Sequence, residues 1–263
     1  MHRIFFLIAL YAVVPLFANL SLASEVSIEE EKYTQKTVYK QSGQLRSRLS
    51  GYCKKISEDR YLLKEKGQGD YGNFTDILWD FESLMTLKSD VLCPLYTECI
   101  IRDRNSSQIF ACKKEYDYDK KKIHITHRNK GNKIIKKITY PLKGNTTDFA
   151  GVVYFLRPKI NAILQGEKIR FYLLSSEPGL YKVKAEFAAE EILIVGSKKI
   201  DTIKIKTTPN MGIFSGIARA MTPPTFLWYK KSPPHVWFKY EGLESGKDSP
   251  HIVTTVEEIT PLF

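Results

Sequence analysis

From Tyr33 onward the sequence is cut into short β-branched and aromatic runs by turn residues at close intervals, and this punctuation leaves few folds open. Residues 133–140 are rich in isoleucine and follow the turn-like Asn129-Lys130-Gly131-Asn132. Residues 121–128 set Ile123 and Ile125 on one face of an extended chain. Residues 168–174 run into Ser175-Ser176-Glu177-Pro178-Gly179, after which 180–187 alternate apolar and polar. Ile200, Ile203 and Ile205 mark another run. Residues 225–229 and 236–240 flank Lys231-Ser232-Pro233-Pro234, and 252–256 close the pattern. Short runs spaced in this way predict an antiparallel meander, and the lack of helical crossovers argues against a parallel α/β sheet. Residues 75–88 fit a helical stripe and period two almost equally well; their β neighbours favour a strand. The expected fold is mainly β: an antiparallel meander forming a curved sheet or incomplete barrel, with little helix after the first 23 residues.

Those first residues have a character of their own. Met1-His2-Arg3 is a basic start, residues 4–17 are apolar apart from Pro15, and small residues lead to Ser21-Leu22-Ala23. This order predicts a secretory signal peptide cleaved after Ala23, because the apolar run falls short of the roughly 20 residues of a membrane span. The expected organisation is a signal peptide over 1–23, a loose acidic lead-in over 24–32 and a single β-rich domain over 33–263. The expected location is periplasmic, with secretion as the alternative, and no segment spans a membrane after cleavage.

Four cysteines remain after cleavage. An even count in an exported chain reads as two disulfides. Cys99 and Cys112 are equidistant from the turn-rich centre Asn105-Ser106, so a hairpin closed there makes them face each other; Cys53 is then left to pair with Cys93. Opposed strand residues lie about 4.5–5.5 Å apart, within the roughly 4.4–6.8 Å that a disulfide accepts. No Cys-x-x-Cys or Cys-x-x-His pair supports a zinc site, and no metal or cofactor is expected.

The formal net charge is +11. Between Lys113 and Lys143, eleven Lys or Arg residues stand against three acids. Such a stripe attracts anionic lipid or acidic polysaccharide; equally, lysines blunt exposed strand edges. Export and the lack of an aromatic-basic recognition motif exclude nucleic acid.

Catalytic signals are absent. His124 and His127 are three apart on an expected strand and point to opposite faces, while His235 and His251 each follow a proline. There is no zinc-protease helix motif, nucleophile elbow or phosphate loop, so no enzyme is expected. The binding candidates are Met211 and Phe214, in an apolar stretch that reads as a lid or a buried connection, and the aromatics Trp228, Tyr229 and Trp237. Rings of this kind pack cores and also line lipid or sugar sites.

One run carries a family resemblance: Asp148-Phe149-Ala150-Gly151-Val152-Val153-Tyr154-Phe155-Leu156-Arg157-Pro158, followed by Gly166 and strand pairs up to Trp228. It resembles a strand pattern of the bacterial exported family catalogued as domain of unknown function 3108, and the likeness is clearest over 148–228. The resemblance implies a periplasmic, mainly antiparallel curved sheet or open barrel, and it brings neither an activity nor site residues. A looser architectural likeness is to periplasmic lipoprotein carriers, whose half-open barrels hold acyl chains. The expected role is a non-catalytic module binding or carrying an apolar or anionic envelope ligand, a lipid or an anionic polysaccharide. The alternative is an envelope assembly factor that docks a protein partner. A hydrolase would need His235, His251 and an acid to converge.

Overall fold

The structure, a computed structural model, describes residues 28–175, 179–209, 223–245 and 249–261. The expected signal peptide, and the stretch holding Met211 and Phe214, lie outside these residues.

The alternating runs form one sheet of fifteen strands. The first eight are β1 (Glu30–Tyr39), β2 (Leu45–Ser57), β3 (Arg60–Tyr71), β4 (Phe74–Lys88), β5 (Val91–Arg102), β6 (Gln108–Asp117), β7 (Lys122–Asn129) and β8 (Ile134–Pro141). After the short β9 (Thr146–Asp148) and a helical insert come β10 (Ile169–Leu174), β11 (Leu180–Val195) and β12 (Lys198–Pro209). The last are β13 (Thr225–Lys230), β14 (Trp237–Leu243) and β15 (His251–Thr260). Sequence neighbours pair antiparallel from β1 to β8 and from β10 to β15. Two ladders differ: β9 runs parallel to β10, and β1 pairs with β15 in mid-sheet. The sheet is therefore open, with β8 and β9 as its two edges.

The sheet curls until its inner faces meet. Leu174 of β10 packs with Cys112, Tyr116 and Ile123 from β6 and β7, and Val91 and Cys93 of β5 join Val183, Ile203 and Leu227 from the other half. Residues 75–88 resolve to strand β4, with Ile77, Trp79 and Met85 turned inward at period two. The lysine-rich segment ends in β8, an edge strand whose residues are mostly exposed. There its charges discourage edge-to-edge pairing.

Three expectations need correction. The run 148–158 is not a strand pattern beyond Asp148. It turns into α1 (Val152–Leu156), a 3-10 turn (Arg157–Lys159) and α2 (Ile160–Leu164), which sit inside the curl. Tyr154 belongs to a cluster with Tyr33, Leu63, Phe238 and Val256, and Phe155, Leu156 and Ile160 to one with Val91, Phe171, Val183 and Leu227, so the insert joins both halves of the sheet. α1 is apolar on every side and belongs in an interior, while α2 leaves Asn161 and Leu164 exposed. The lead-in is also shorter than expected, since β1 starts at Glu30 and Ile28 is buried. Glu31 points inward, to a basic partner, rather than into water.

The cysteines give the third. Cys99 and Cys112 are direct partners across the β5–β6 ladder, as the equidistance predicted, yet all four cysteines are free thiols. Cys53 and Cys93 lie on β2 and β5 with two strands between them. Three strand spacings of about 4.8 Å put them about 14 Å apart along the sheet, beyond the roughly 7 Å limit for bridging.

Gly67 makes room in the interior. Its cross-strand partner is Trp79, and a Cβ at position 67 would lie 2.1 Å from the indole ring. The ring lies flat over the glycine and stacks on Tyr71 at 5.2 Å.

Candidate functional site

The curl encloses a cavity of about 210 Å³ between β1–β6, the α1 segment and β14–β15. Period-two alternation places its lining: Tyr33 on β1, Trp79 and Phe81 on β4 and Phe110 on β6 face inward together with Phe149 and Trp237. Trp237 Nε1 has no hydrogen-bond partner among the described residues.

Polar and charged side chains stand among these rings. At one end Arg46 forks onto Glu244, with Nε–Oε1 and Nη2–Oε2 both 2.7 Å. The Gly72 N–H also donates to Glu244 Oε2, at 2.9 Å. By the α1 segment, Arg157 Nη2 lies 2.7 Å from Glu31 Oε1, and both residues are buried. Asp148 is almost fully buried and accepts three hydrogen bonds, from Thr97 Oγ1 at 2.6 Å, Tyr116 Oη at 3.1 Å and the Gly151 N–H at 2.8 Å. This carboxylate ties β9 to β5 and β6 across the curl. It also fixes the turn into α1.

Glu65 of β3 borders the cavity and accepts the Tyr33 hydroxyl at 2.7 Å. Burial pushes its carboxyl above the ordinary 4.5; the Tyr33 bond opposes this, and the nearby Asp148 charge adds to it. Burial, followed by the Glu65 charge, raises the Tyr33 phenol in turn. A carboxyl raised in the folded state favours folding when protonated. That contribution is complete below about pH 4.5 and is lost as pH rises through the folded value. Glu65→Gln is therefore expected to be more stable than wild type at pH 7, with the gap closing towards pH 4.5. Urea unfolding at pH 7 and pH 4.5 checks this; an equal gap at both would contradict it.

Cys99 and Cys112 line the same cavity. Burial pushes the Cys99 thiol up to about 12 and raises Cys112 as well, which leaves both as weak nucleophiles. Lys114 also faces the cavity from β6, 7% exposed.

The residues expected from sequence to bind a ligand are scattered. Of those among the described residues, Trp237 alone reaches the cavity. Tyr229 is buried beneath the helical insert and donates to the Val153 carbonyl at 3.1 Å. Trp228 lies on the other face of β13, where Lys204 and Lys239 cover its ring and Glu191 accepts its N–H at 2.7 Å. His235 is a structural histidine, with Nδ1 3.1 Å from the Lys230 carbonyl and Nε2 3.2 Å from Asn161 Oδ1. His251 lies at the start of β15, near Glu241 and Lys40.

Sequence reasoning missed Glu65, Lys114, Asp148 and Arg157 as cavity residues. Asp148 and Arg157 were visible in the family-like run. Lys114 had a signal too: it shares strand parity with Cys112, and a cysteine is among the residues most often buried.

A family model described as Protein of unknown function (DUF3108) matches residues 91–241. That span holds Thr97, Lys114, Tyr116, Asp148, Arg157 and Trp237. No curated protein matches the sequence. Among solved structures, the chain is similar to a β-barrel-like protein of domain of unknown function DUF1849 from Brucella abortus. The TM-score is 0.55 at 6% identity, over 88% of this chain and 97% of that one; the likeness concerns the fold alone. A structure described as "a putative lipoprotein" from Parabacteroides distasonis ATCC 8503 aligns over 90% of this chain and 98% of that one. Its TM-score is 0.30 at 10% identity, which carries no argument.

Proposed function

The chain belongs to the family described as Protein of unknown function (DUF3108), and we propose that it is a non-catalytic module of the cell envelope that takes the apolar part of a small ligand into its cavity. The observation that carries this reading is the aromatic-lined cavity of about 210 Å³, with an unpartnered indole N–H at its wall. An apolar protein cavity of about 150 Å³ stays dry and accepts benzene. The space here suits one substituted ring or one short alkyl segment. It is smaller than the roughly 300–1,000 Å³ of typical drug-sized sites, so a whole two-chain lipid does not fit. A periplasmic location rests on the order of residues 1–23. Catalysis is left out because burial leaves the cavity cysteines weak nucleophiles and His235 has both ring nitrogens engaged.

Trp79 and Trp237 border the cavity while Trp228 does not, so tryptophan emission reports occupancy. Titration with straight-chain alcohols of six to ten carbons is expected to give a saturable, one-to-one change. Ala150→Phe, which fills the cavity wall, is expected to abolish it. No saturable response to any of these alcohols from a folded protein would sink the reading.

A further inference from the structure

We propose that Lys114 anchors an anionic group, a carboxylate or phosphate-type oxyanion, at one end of the ligand, so that the cavity takes a small amphiphilic anion. The proposal rests on the cavity-binding reading above and specifies its ligand class.

Six side chains with a formal charge are buried among the described residues: Glu31, Arg46, Lys114, Asp148, Arg157 and Glu244. Four of them form two ion pairs, and a fifth, Asp148, is held by neutral donors. Arg46 faces Glu244, Arg157 faces Glu31, and Asp148 accepts two hydroxyls and a backbone N–H. Lys114 is the exception. Its ammonium carries three donors, and its single hydrogen-bond partner among the described residues is the Ser175 carbonyl, at 3.4 Å. No carboxylate lies within 4.0 Å of it among those residues. Asp148 is close enough for both to act on Cys112, but its oxygens are already engaged. An unpaired buried cation is costly, and an anion entering the cavity removes that cost.

The strand supplies the apolar part of the site. Phe110, Cys112 and Lys114 alternate on the inner face of β6, and four residues of strand span about 14 Å. The charge stands at one end of that row and an aromatic ring at the other. A ligand matched to this row has one anionic head and a single medium-length chain or ring. The other cavity cation, Arg157, is paired with Glu31, which leaves Lys114 the one cation lining the cavity with no carboxylate partner among the described residues.

The test compares probes that differ only in their heads. At pH 7, decanoate and decyl phosphate are titrated into the full chain against 1-decanol, following tryptophan emission and calorimetry, with inorganic phosphate as the headgroup alone. At least one amphiphilic anion is expected to bind roughly 10- to 100-fold tighter than decanol, the ratio for a hydrogen bond to a charged group; which one does so identifies the head. Inorganic phosphate is expected to bind far more weakly than either. Lys114→Met and Lys114→Gln are expected to erase the preference, read as the ratio of anion to decanol affinity within each variant, and Lys114→Arg to keep it. Decanol binding with no preference for an anion overturns the anchor and leaves the cavity reading standing. So does a preference that survives in both neutral variants, provided they melt cooperatively. Inorganic phosphate binding as tightly as the amphiphiles overturns the amphiphile. Failure of every chain to bind overturns both readings together.

Discussion

Replacing Glu244 with alanine is expected to destabilise the fold by about 3–5 kcal/mol, the range for breaking a buried ion pair from one side. Both side chains of the pair with Arg46 are about 95% buried. The guanidinium would keep its Tyr39 hydroxyl and Gly72 carbonyl contacts and a longer ion pair to Asp70 at 3.9 Å, but lose the carboxylate that it grips with two bonds. The Gly72 N–H would lose its acceptor as well. In a chain of this size each kcal/mol shifts the midpoint by roughly 2–4 °C, so a fall of about 6–20 °C is expected in a thermal melt. The companion experiment replaces both partners, Arg46→Met with Glu244→Leu. Removing both charges together avoids the orphan, so the double variant is expected to recover most of the loss. A single variant costing less than about 1 kcal/mol would show that water or a nearby group replaces the carboxylate.

The second large effect is expected at Asp148. Its carboxylate accepts from Thr97, Tyr116 and Gly151, and bonds to a charged acceptor are worth about 1.5–3 kcal/mol each before relaxation. Asp148→Ala is expected to cost about 3–5 kcal/mol. Asp148→Asn keeps an oxygen for the Gly151 N–H and is expected to cost roughly a third as much. Hydrogen exchange separates this role from plain packing. Because the Gly151 bond fixes the turn into α1, protection over 152–164 should fall first in the alanine variant. Uniform loss across the sheet would show instead that Asp148 serves only global stability. Burial and the adjacent Asp148 charge hold the Tyr116 phenol well above its ordinary value, so it stays a donor to the carboxylate.

The strands were legible because their signals are local. Turn residues after 128 and 174 end runs whose alternation is plain, and the equidistance of Cys99 and Cys112 from Asn105-Ser106 implies the β5–β6 register that the ladder has. Residues 75–88 were ambiguous because Ile77, Phe81 and Met85 suit both periods; pairing with β3 and β5 decided for the strand. The helical insert was hidden for the opposite reason. Val152, Tyr154, Phe155 and Leu156 are buried on all sides, so no polar stripe marks its period.

The site residues were obscured by their neighbours. Lys114 stands in a run of lysines that reads as a solvated edge, and only its inward parity separates it from Lys113. Trp228 was misread because an aromatic residue does not announce its face. The ammonium groups of Lys204 and Lys239 lie over its ring, 4.8 and 4.3 Å from the centroid, a cation–π arrangement. The net effect is that the architecture was readable and the chemistry of its interior was not.

The mid-sheet meeting of β1 with β15 has a topological meaning. Traced from β9 through β15 into β1 and on to β8, neighbours in space become neighbours in order at every step. The polypeptide is thus a ring of strands cut at a seam between two interior members, while its two rims, β8 and β9, are joined by the short link 142–145. A circular permutant opened in that link and spliced across the old seam would have the same sheet, with its ends now at the rims. In the native order, by contrast, each half must keep a raw inner border until the last strand arrives to close it.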